Sequence, residues 1–209
     1  MKEKHFIQDA KKWMLIEEFI RDFLSEAKCS SVEAQETPLG TRITIRVLYP
    51  GIAIGSGGEN LRIIQEKLEK EFGIRNPQIN VERVENPMLN ATIVAQLIAS
   101  AIERGAHYRR VAQYYLRRVM EEGARGCEIR ISGKLGSELA RTEKFYAGYI
   151  AKSGTKEGVD IAYAQAQTKP GTIGIRVAIM KKLAEVVKEV EEKGETEAEG
   201  EKKEGEKER

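Results

Sequence analysis

Apolar residues recur along the first half of the chain with two different spacings, which predict an alternation of helices and strands. Helical spacing marks the N-terminal region and the segment from residue 59 to Gly73, where glycine ends the run. Alternation of apolar and polar residues predicts strands near 31–35, over 42–47 and over 78–84. The two predicted helical faces consist of Phe6, Trp13, Ile16, Phe19, Ile20, Phe23 and Leu24, and of Leu61, Ile64, Leu68 and Phe72.

A break in this pattern separates the first unit from a second one. Asn86-Pro87 follows the third predicted strand, and proline disfavours helix in the residue before it and cannot donate within a strand ladder. The sequence therefore predicts one domain over residues 1–86, a second over 87–181, and a helical extension with a charged tail over 182–209.

The second unit is predicted to contain two helices and a small sheet. Asn90 is placed as the N-cap of a helix that ends at Gly105, and another helix spans about 107–122. The predicted strands lie around 127–131, 141–151, 161–163 and 173–179, the second of these with the weakest pattern. Lys169-Pro-Gly171 is typical of a tight turn that joins the last two strands as a hairpin. The predicted fold class is thus α+β, with two helices against a mostly antiparallel sheet.

Composition indicates folded domains followed by a polar tail. The chain has 209 residues, of which 41% are apolar, enough for two compact cores. Its formal charge of +2 is unevenly distributed, because residues 191–209 hold nine Glu against five Lys or Arg, and residues 1–190 hold 30 basic against 24 acidic residues. Having no large apolar side chain, the tail is predicted to be disordered, as a solvated extension or as a binding segment.

Cysteine content and hydropathy predict a cytoplasmic location. Cys29 and Cys127 are the two cysteines, and without a signal peptide to indicate an oxidising compartment both are predicted to be reduced and buried. No stretch of eighteen apolar residues is present, so no membrane partner is expected.

A glycine-rich turn is the most informative local motif. Gly55-Ser-Gly-Gly58 lies between the apolar stretch 50–54 and the helix that starts at Glu59. Glycines allow a tight turn without Cβ atoms, so main-chain amides and the following helix N-terminus can approach phosphates closely. Such a turn alone is more often an ordinary loop than a ligand site. The candidate RNA-binding residues of this region are Gly55, Ser56, Gly57, Gly58 and Arg62.

The surrounding elements favour the binding interpretation. A strand, a short helix, the glycine turn, a longer helix and a strand occur in the order of a KH domain, whose Gly-x-x-Gly loop holds the backbone of about four nucleotides. A further helix and strand ahead of this core predict the type II arrangement.

The helix predicted over residues 107–122 has a basic flank. Its buried stripe is predicted to consist of Tyr108, Val111, Ala112, Tyr115 and Val119, and its exposed rows of Arg109, Gln113 and Arg117 and of Arg110, Tyr114 and Arg118. Like charges one turn apart repel by a few tenths of a kcal/mol, which a polyanion would offset. The guanidinium fork suits phosphate, and tyrosine can stack on bases. The alternative is a solvated face whose arginines pair with Glu103, Glu121 or Glu122.

A second basic segment follows the first predicted strand of this sheet. Ser132-Gly-Lys-Leu-Gly136 and then Arg141-Thr-Glu-Lys144 place basic side chains on and beside a glycine-flexed loop. We therefore consider Lys134, Arg141 and Lys144 as RNA contacts, with an ordinary polar loop as the alternative.

Motifs of catalysis are missing from the sequence. Gly133-Lys134 lacks the Ser or Thr and the upstream glycine of a P-loop, and Asn60 stands where a dinucleotide fingerprint needs its last glycine. His5 and His107 are far apart, and no Cys or His cluster has metal-ligand spacing. The sequence therefore predicts no catalytic residue, metal, cofactor or small-molecule substrate.

Several tracts together resemble the universal small-subunit ribosomal protein three family in an archaeal form. They are Pro50-Gly-Ile-Ala-Ile-Gly-Ser-Gly-Gly58, His107-Tyr-Arg-Arg110, Ile131-Ser-Gly-Lys-Leu-Gly136 and Ala140-Arg-Thr-Glu143, and the resemblance covers about residues 5–182. It implies a ribosome-bound protein of the 30S head that contacts 16S ribosomal RNA, neighbouring head proteins and messenger RNA at the entry channel.

The resemblance further implies that Arg109 and Arg110 face incoming messenger and help the ribosome to resist or open base-paired RNA. Two departures limit this inference. Ser56 and Gly57 stand where many bacterial relatives have lysines, so backbone amides carry more of the binding, and Gln113 replaces a third basic residue. A free-standing KH regulator remains the rival hypothesis.

Overall fold

The chain folds into two compact units that divide between Pro87 and Met88. The computed structural model describes residues 2–37, 40–74, 76–152 and 158–182. Each unit has its own apolar core. The helical extension and disordered tail predicted over residues 182–209 lie outside the described residues, apart from Lys182, which is not helical.

The first unit is a three-stranded sheet with helices. Its elements are α1 (Lys2–Phe23), β1 (Cys29–Thr37), β2 (Gly40–Val47), α2 (Pro50–Ile54), a 3₁₀ turn (Ser56–Gly58), α3 (Glu59–Lys70) and β3 (Gln78–Arg83). The strand order is β1-β2-β3, with β1 antiparallel and β3 parallel to β2. This is the predicted order of elements, in which a helix and a strand precede a core of strand, short helix, glycine turn, longer helix and strand.

The predicted apolar faces form the core of this unit. The buried residues are Ile16, Ile20 and Leu24 of the N-terminal region, Ile43, Ile45 and Val47 of β2, Ala53 of α2, Ile64 and Leu68 of α3, and also Ala27, Cys29 and Ile74. Trp13, which the sequence places on the apolar face of α1, packs against this core. Burial raises the pKa of the Cys29 thiol to about 11, which keeps it protonated and inert at neutral pH.

The second unit is a four-stranded antiparallel sheet with two helices. Its elements are a 3₁₀ turn (Pro87–Leu89), α4 (Ala91–Glu103), α5 (Tyr108–Glu121), β4 (Gly126–Gly133), β5 (Arg141–Gly148), β6 (Val159–Thr168) and β7 (Gly171–Met180). The strand order is β5-β4-β7-β6, and neighbouring strands are all antiparallel. Thr168 pairs with Gly171, so the predicted hairpin turn is confirmed.

Asn90 starts α4 as the sequence predicts. Its Oδ1 accepts hydrogen bonds from the amides of Thr92 at 3.1 Å and Ile93 at 3.2 Å. A carboxylate oxygen of Asp160 on β6 accepts from the amide of Ala91 at 2.8 Å. Two of the amides that a helix N-terminus leaves unpaired are therefore satisfied locally and one by the sheet, which fixes α4 against β6.

Both helices cover the same face of the sheet. Because only that face is covered by helices, apolar side chains occupy every second position of β4 and β7. Cys127, Ile129 and Ile131 of β4 and Ile173, Ile175, Val177 and Ile179 of β7 are buried in the core with residues of α4 and α5. Burial raises the pKa of the Cys127 thiol to about 12. The alternate residues of these strands face away from the helices, on what we call the open face.

Candidate nucleic-acid interface

The glycine turn has a backbone that only glycine adopts readily. Gly55 has φ +74° and ψ −178°, and Gly57 and Gly58 also have positive φ. A Cβ atom built on Gly55 would lie 2.8 Å from Cγ of Asn60. Both the conformation and the lack of space therefore require glycine at position 55.

Asn60 connects the two helices that flank the turn. Its Nδ2 donates to the carbonyl oxygen of Ile52 at 2.9 Å, which joins the first turn of α3 to α2. Gly58 is the N-cap of α3 and has no side chain with which to cap it. The amide of Glu59, the first residue of α3, donates to the carbonyl oxygen of Ser56, and no side chain caps the amides that follow it. This helix N-terminus lies beside exposed Ser56 and Gly57 and carries partial positive charge that an anion can use.

Arg62 extends the basic character of this turn along α3. Its side chain is 83% exposed, and its Nε lies 3.7 Å from a carboxylate oxygen of Glu66. Glu66 is bonded more closely to Lys70, at 3.1 Å, and this hydrogen bond lowers the pKa of Glu66. The guanidinium of Arg62 is thus only loosely paired, one turn beyond the glycine turn.

Four apolar side chains near the turn are exposed, and the sequence does not single them out as site residues. They are Tyr49, Ile52, Ile54 and Ile63. Only Ala53 of α2 is buried, so the remaining apolar residues of this short helix face outward. The sequence signal that could have identified them is the run of three apolar residues, 52–54, in a helix of five residues, because so short a helix can bury only one side.

The basic flank of α5 encloses a groove of about 730 Å³. Its lining residues are His107, Arg109, Arg110, Gln113, Tyr114, Arg117, Arg118 and Glu121. The opposite side of α5 is the predicted apolar stripe, with Tyr108, Val111, Ala112 and Val119 buried and Tyr115 packed against the core. The two rows of side chains predicted from helical spacing therefore both border the groove.

Arg109 is held by a carboxylate that the sequence reasoning did not consider. Its Nε and Nη2 donate to the two carboxylate oxygens of Glu143 on β5, at 3.0 and 2.9 Å. The Tyr108 hydroxyl donates to the same carboxylate at 2.9 Å, and Arg141 Nε lies 3.5 Å from it. The arginine–carboxylate alternative is thus correct for Arg109, but the partner is Glu143 and none of Glu103, Glu121 and Glu122.

Glu143 is the centre of this cluster, and its ionisation reflects the surrounding donors. The hydrogen bond from Arg109 is the largest cause that lowers the pKa of Glu143 to about 2, with Tyr108 and Arg141 adding to it. The same contact raises the pKa of Arg109. Glu143 therefore stays ionised throughout the physiological range and holds two guanidinium groups and a phenol in fixed positions.

Arg110 and Arg117 differ from Arg109. Both are exposed, and within residues 2–37, 40–74, 76–152 and 158–182 neither has a hydrogen-bonded or ion-paired partner. Arg118 donates to the hydroxyl of Tyr114 at 3.1 Å and lies 5.6 Å from the centre of that ring. These three arginines keep their charge uncompensated by any carboxylate of the described chain.

The start of α5 adds to the attraction for anions. His107 is the N-cap, and its Nδ1 accepts from the amide of Arg109 at 3.3 Å. The first turn has no acidic residue and contains Arg109 and Arg110, although a helix N-terminus carries partial positive charge. In the isolated protein, the arginines are repelled by this partial positive charge. A bound phosphate would be stabilised both by the helix N-terminus and by the arginines.

The remaining predicted contacts lie in three places. Arg141 donates to the Leu135 carbonyl and to the Tyr108 hydroxyl, both at 3.3 Å, and so belongs to the Glu143 cluster. Lys134 is exposed in the turn after β4. Lys144 alternates with Glu143 on β5 and lies on the open face of the sheet. The structure therefore brings Arg141 to the α5 flank but separates Lys144 from it.

Substitution of Glu143 by glutamine is expected to remove a pH-dependent part of the stability of the second unit. Because the folded pKa of about 2 lies below the ordinary value of 4.5, this stability is complete above pH 4.5 and is lost as the pH falls towards 2. Melting temperatures across this range should show a deficit for Glu143→Gln at neutral pH that closes near pH 2. Glu138→Gln, in an exposed loop of the same unit, is the control; a constant deficit would contradict the assignment.

Across the described ranges, no helix has the length and apolar content needed to cross a membrane. The same ranges contain no group of three or more His, Cys, Asp or Glu residues that could hold a metal ion.

Each unit matches the model of a known protein family. A KH domain model matches residues 15–89, and a model of the ribosomal protein S3 C-terminal domain matches residues 98–179. Small ribosomal subunit protein uS3 of Methanocaldococcus jannaschii is 48% identical over 183 residues, which cover 87% of this chain and 88% of the relative. The Archaeoglobus fulgidus protein of the same name is 45% identical over 85% of this chain and 78% of its own length. With both domains matched and nearly half of the aligned residues identical, the chain belongs to the small ribosomal subunit protein uS3 family.

Proposed function

We propose that this protein binds 16S ribosomal RNA in the head of the small subunit and lines the channel through which messenger RNA enters. Its relatives are named as proteins of the small ribosomal subunit, and the model that matches the second unit is that of a ribosomal protein domain. The proposed partners are ribosomal RNA, messenger RNA and neighbouring head proteins, and the proposed location is the ribosome in the cytoplasm.

The observation that carries the channel assignment is the exposed pair Arg110 and Arg117 on the groove of α5. Each presents five N–H donors that match phosphate geometry. Neither forms an ion pair with a described carboxylate, although Glu121 also lines the groove, so both guanidinium groups are available to a polyanion, which releases its counterions on binding. Tyr114, between them on the groove, offers a ring on which an unpaired base can stack.

Arg109 has a different role in this proposal. Its bidentate bond to Glu143 uses two of its donors and fixes the direction of its guanidinium. It therefore contributes a charge in a fixed position on the groove, whereas Arg110 and Arg117 can follow a moving strand. A single strand can follow the groove of one helix flank, and the force that opens a duplex comes from translocation of the ribosome.

In this proposal, the glycine turn binds a separate RNA segment, which belongs to ribosomal RNA. The N-terminus of α3 beyond the Glu59 amide and the backbone of residues 56–58 bind phosphates of ribosomal RNA, and exposed Ile52 and Ile63 contact the bases. Since the turn itself has no lysine, amide geometry rather than side-chain charge determines its affinity.

Gly55→Ala is expected to weaken binding of single-stranded RNA to the turn about tenfold, because a Cβ at this backbone conformation costs about 1–3 kcal/mol and displaces Asn60. The measurement is the affinity of the purified chain for RNA. Gly51→Ala is the matched control, since a Cβ at that position in α2 meets nothing within 4 Å. Equal affinities for the two variants would exclude the turn as a binding site.

The channel assignment is tested by translation through a stable messenger hairpin. Ribosomes that carry Arg110→Ala with Arg117→Ala should traverse the hairpin several-fold more slowly and translate an unstructured messenger at the normal rate. The variant chain must sediment with the small subunit, which also separates a ribosomal protein from a free-standing RNA regulator. An unchanged hairpin rate would contradict the assignment.

A further inference from the structure

The open face of the four-stranded sheet has a row of cations in register. Residues that pair directly across neighbouring strands share a row, and here the row consists of Lys144 on β5, Arg130 on β4, Arg176 on β7 and Tyr163 on β6. Adjacent strands are about 4.8 Å apart, so the three cations follow one another across about 10 Å. The helices lie on the other face and contribute nothing to neutralise this row.

The charges and N–H donors of this row have few partners within the described chain. Like charges directly opposite each other on neighbouring strands are destabilising, and Arg130 lies opposite both Lys144 and Arg176. Nε of Arg130 and Nε of Arg176 are buried without a hydrogen-bond partner in the ranges that the structure describes. Repulsion between these like charges is a cost that folding does not require, and an anion that contacts the outer guanidinium nitrogens or the ammonium group of the row would offset it.

One carboxylate partly balances these charges. Glu128 on β4 accepts from Arg130 at 3.2 Å and from Lys152 at 2.7 Å. Its two oxygens are thereby used by two cations, and Arg176 and Lys144 are left without a carboxylate among the described residues. The described part of the open face consequently keeps a positive surplus around a single buried Glu.

Exposed tyrosines lie at both edges of this face. Tyr163 on β6 is 73% exposed and Tyr146 on β5 is 77% exposed, and both edge strands turn these rings outward. Across four strands the two edges are about 14 Å apart. The Arg176 guanidinium lies 5.8 Å from the centre of the Tyr163 ring, so cation and ring are adjacent. Flat rings at the edges and guanidinium groups between them suit alternating bases and phosphates.

We propose that the open face is a second RNA-binding surface, on which unpaired bases stack on Tyr163 and Tyr146 while the intervening phosphates bind Arg176 and Lys144. The proposal rests on the RNA-binding function proposed above but concerns a face opposite to the α5 flank. An acidic protein segment would satisfy the cations but would leave two separated rings exposed, whereas an RNA strand uses both kinds of group.

The test measures binding of a short oligouridylate that contains 4-thiouridine to the full-length chain. Tyr163→Ala and Arg176→Gln should each weaken binding about tenfold, since stacking on an aromatic ring and a charge-assisted phosphate contact each contribute to that extent. Tyr163→Phe, which keeps the ring, should bind almost as the parent does. Lys169→Gln removes one charge from the exposed hairpin turn of the same unit and should have little effect. Tyr163 is mostly exposed, so its replacement should leave the melting temperature unchanged.

Three results would overturn the inference. If Tyr163→Ala and Arg176→Gln bind normally while Arg110→Ala with Arg117→Ala does not, the open face is not a site and the α5 assignment survives; if none of the variants loses affinity, both fail. In assembled small subunits, a photoreactive p-azidophenylalanine in place of Tyr163 should crosslink to RNA. A crosslink to protein instead would assign the face to a protein partner and refute the proposal.

Discussion

Replacing Arg110 and Arg117 together with alanine is expected to weaken the binding of single-stranded RNA to the α5 flank roughly a hundredfold. Each arginine is exposed on the groove and has no described partner, so its whole charge and its donors are available to phosphate. A charge-assisted hydrogen bond contributes about 1.5 kcal/mol or more, which is at least tenfold in affinity, and the two effects multiply. The salt dependence should also decrease, with a slope smaller by about 0.7 for each phosphate that the variant no longer neutralises.

Arg109→Ala is the informative comparison. Because Arg109 is already bonded to Glu143 through two donors, its loss should reduce RNA affinity less than the loss of Arg110 and should reduce the stability of the second unit more. Arg104→Ala, at the exposed end of α4, controls for the removal of charge alone. Arg109→Ala having the larger effect on affinity would contradict the division of roles inferred from the Glu143 cluster.

Gly148→Ala is expected to destabilise the second unit by about 3 kcal/mol or more. Gly148 pairs with Gly126 across β4 and β5, and at this point the backbones of residues 125 and 149 come close. A Cβ atom on Gly148 would lie 2.3 Å from the carbonyl oxygen of Arg125, and one on Gly126 would lie 2.2 Å from that of Tyr149. Overpacking against backbone, which cannot rotate away, adds to the penalty of alanine at φ +71°.

Denaturant unfolding of the full-length chain measures this effect. Gly136→Ala separates the two causes, because Gly136 also has positive φ but a Cβ there meets nothing within 4 Å. We expect Gly136→Ala to cost about 1–2 kcal/mol. If Gly148→Ala were no worse than Gly136→Ala, the close approach of the backbones would not be a constraint on this sheet. The substitution should also displace β5 and with it Glu143, so it would weaken the arrangement of Arg109 and Arg141.

Much of the fold follows from local patterns in the sequence. Period-two alternation identifies β2, β4 and β7 because each has one face in a core, and helical periodicity identifies α1, α3 and α5 for the same reason. The capping role of Asn90 and the hairpin turn at residues 169–170 depend only on the neighbouring backbone. Both can therefore be predicted from a few adjacent residues. The domain boundary proposed after Asn86 depends on a single proline and remains a prediction.

The contacts of β5, the strand with the least regular pattern, could not be predicted from the sequence. β5 is an edge strand whose helix-facing positions include Glu143, so its pattern is interrupted by the carboxylate that organises Tyr108, Arg109 and Arg141. Nothing local connects Glu143 with an arginine 34 positions away. The contact depends on the pairing of β5 with β4 and on the packing of α5 over the sheet, which composition and spacing do not reveal.

The open face illustrates the same limit. Arg130, Lys144 and Arg176 are distant in sequence, and their common row requires the register of three strands. Lys144 and Arg141 belong to one basic tract of the sequence, three positions apart, and are therefore predicted as contacts of the same segment. In a strand that spacing places two residues on opposite faces, so the two side chains serve different surfaces.

We propose that the α5 groove holds a messenger strand through Arg110 and Arg117, and a high-resolution structure of the small subunit with messenger in its entry channel tests this. We expect phosphate oxygens of the entering strand within hydrogen-bonding distance of the guanidinium groups of Arg110 and Arg117, while Arg109 keeps its bond to Glu143. Finding that groove filled by carboxylates of a neighbouring protein, with the messenger elsewhere, would contradict it.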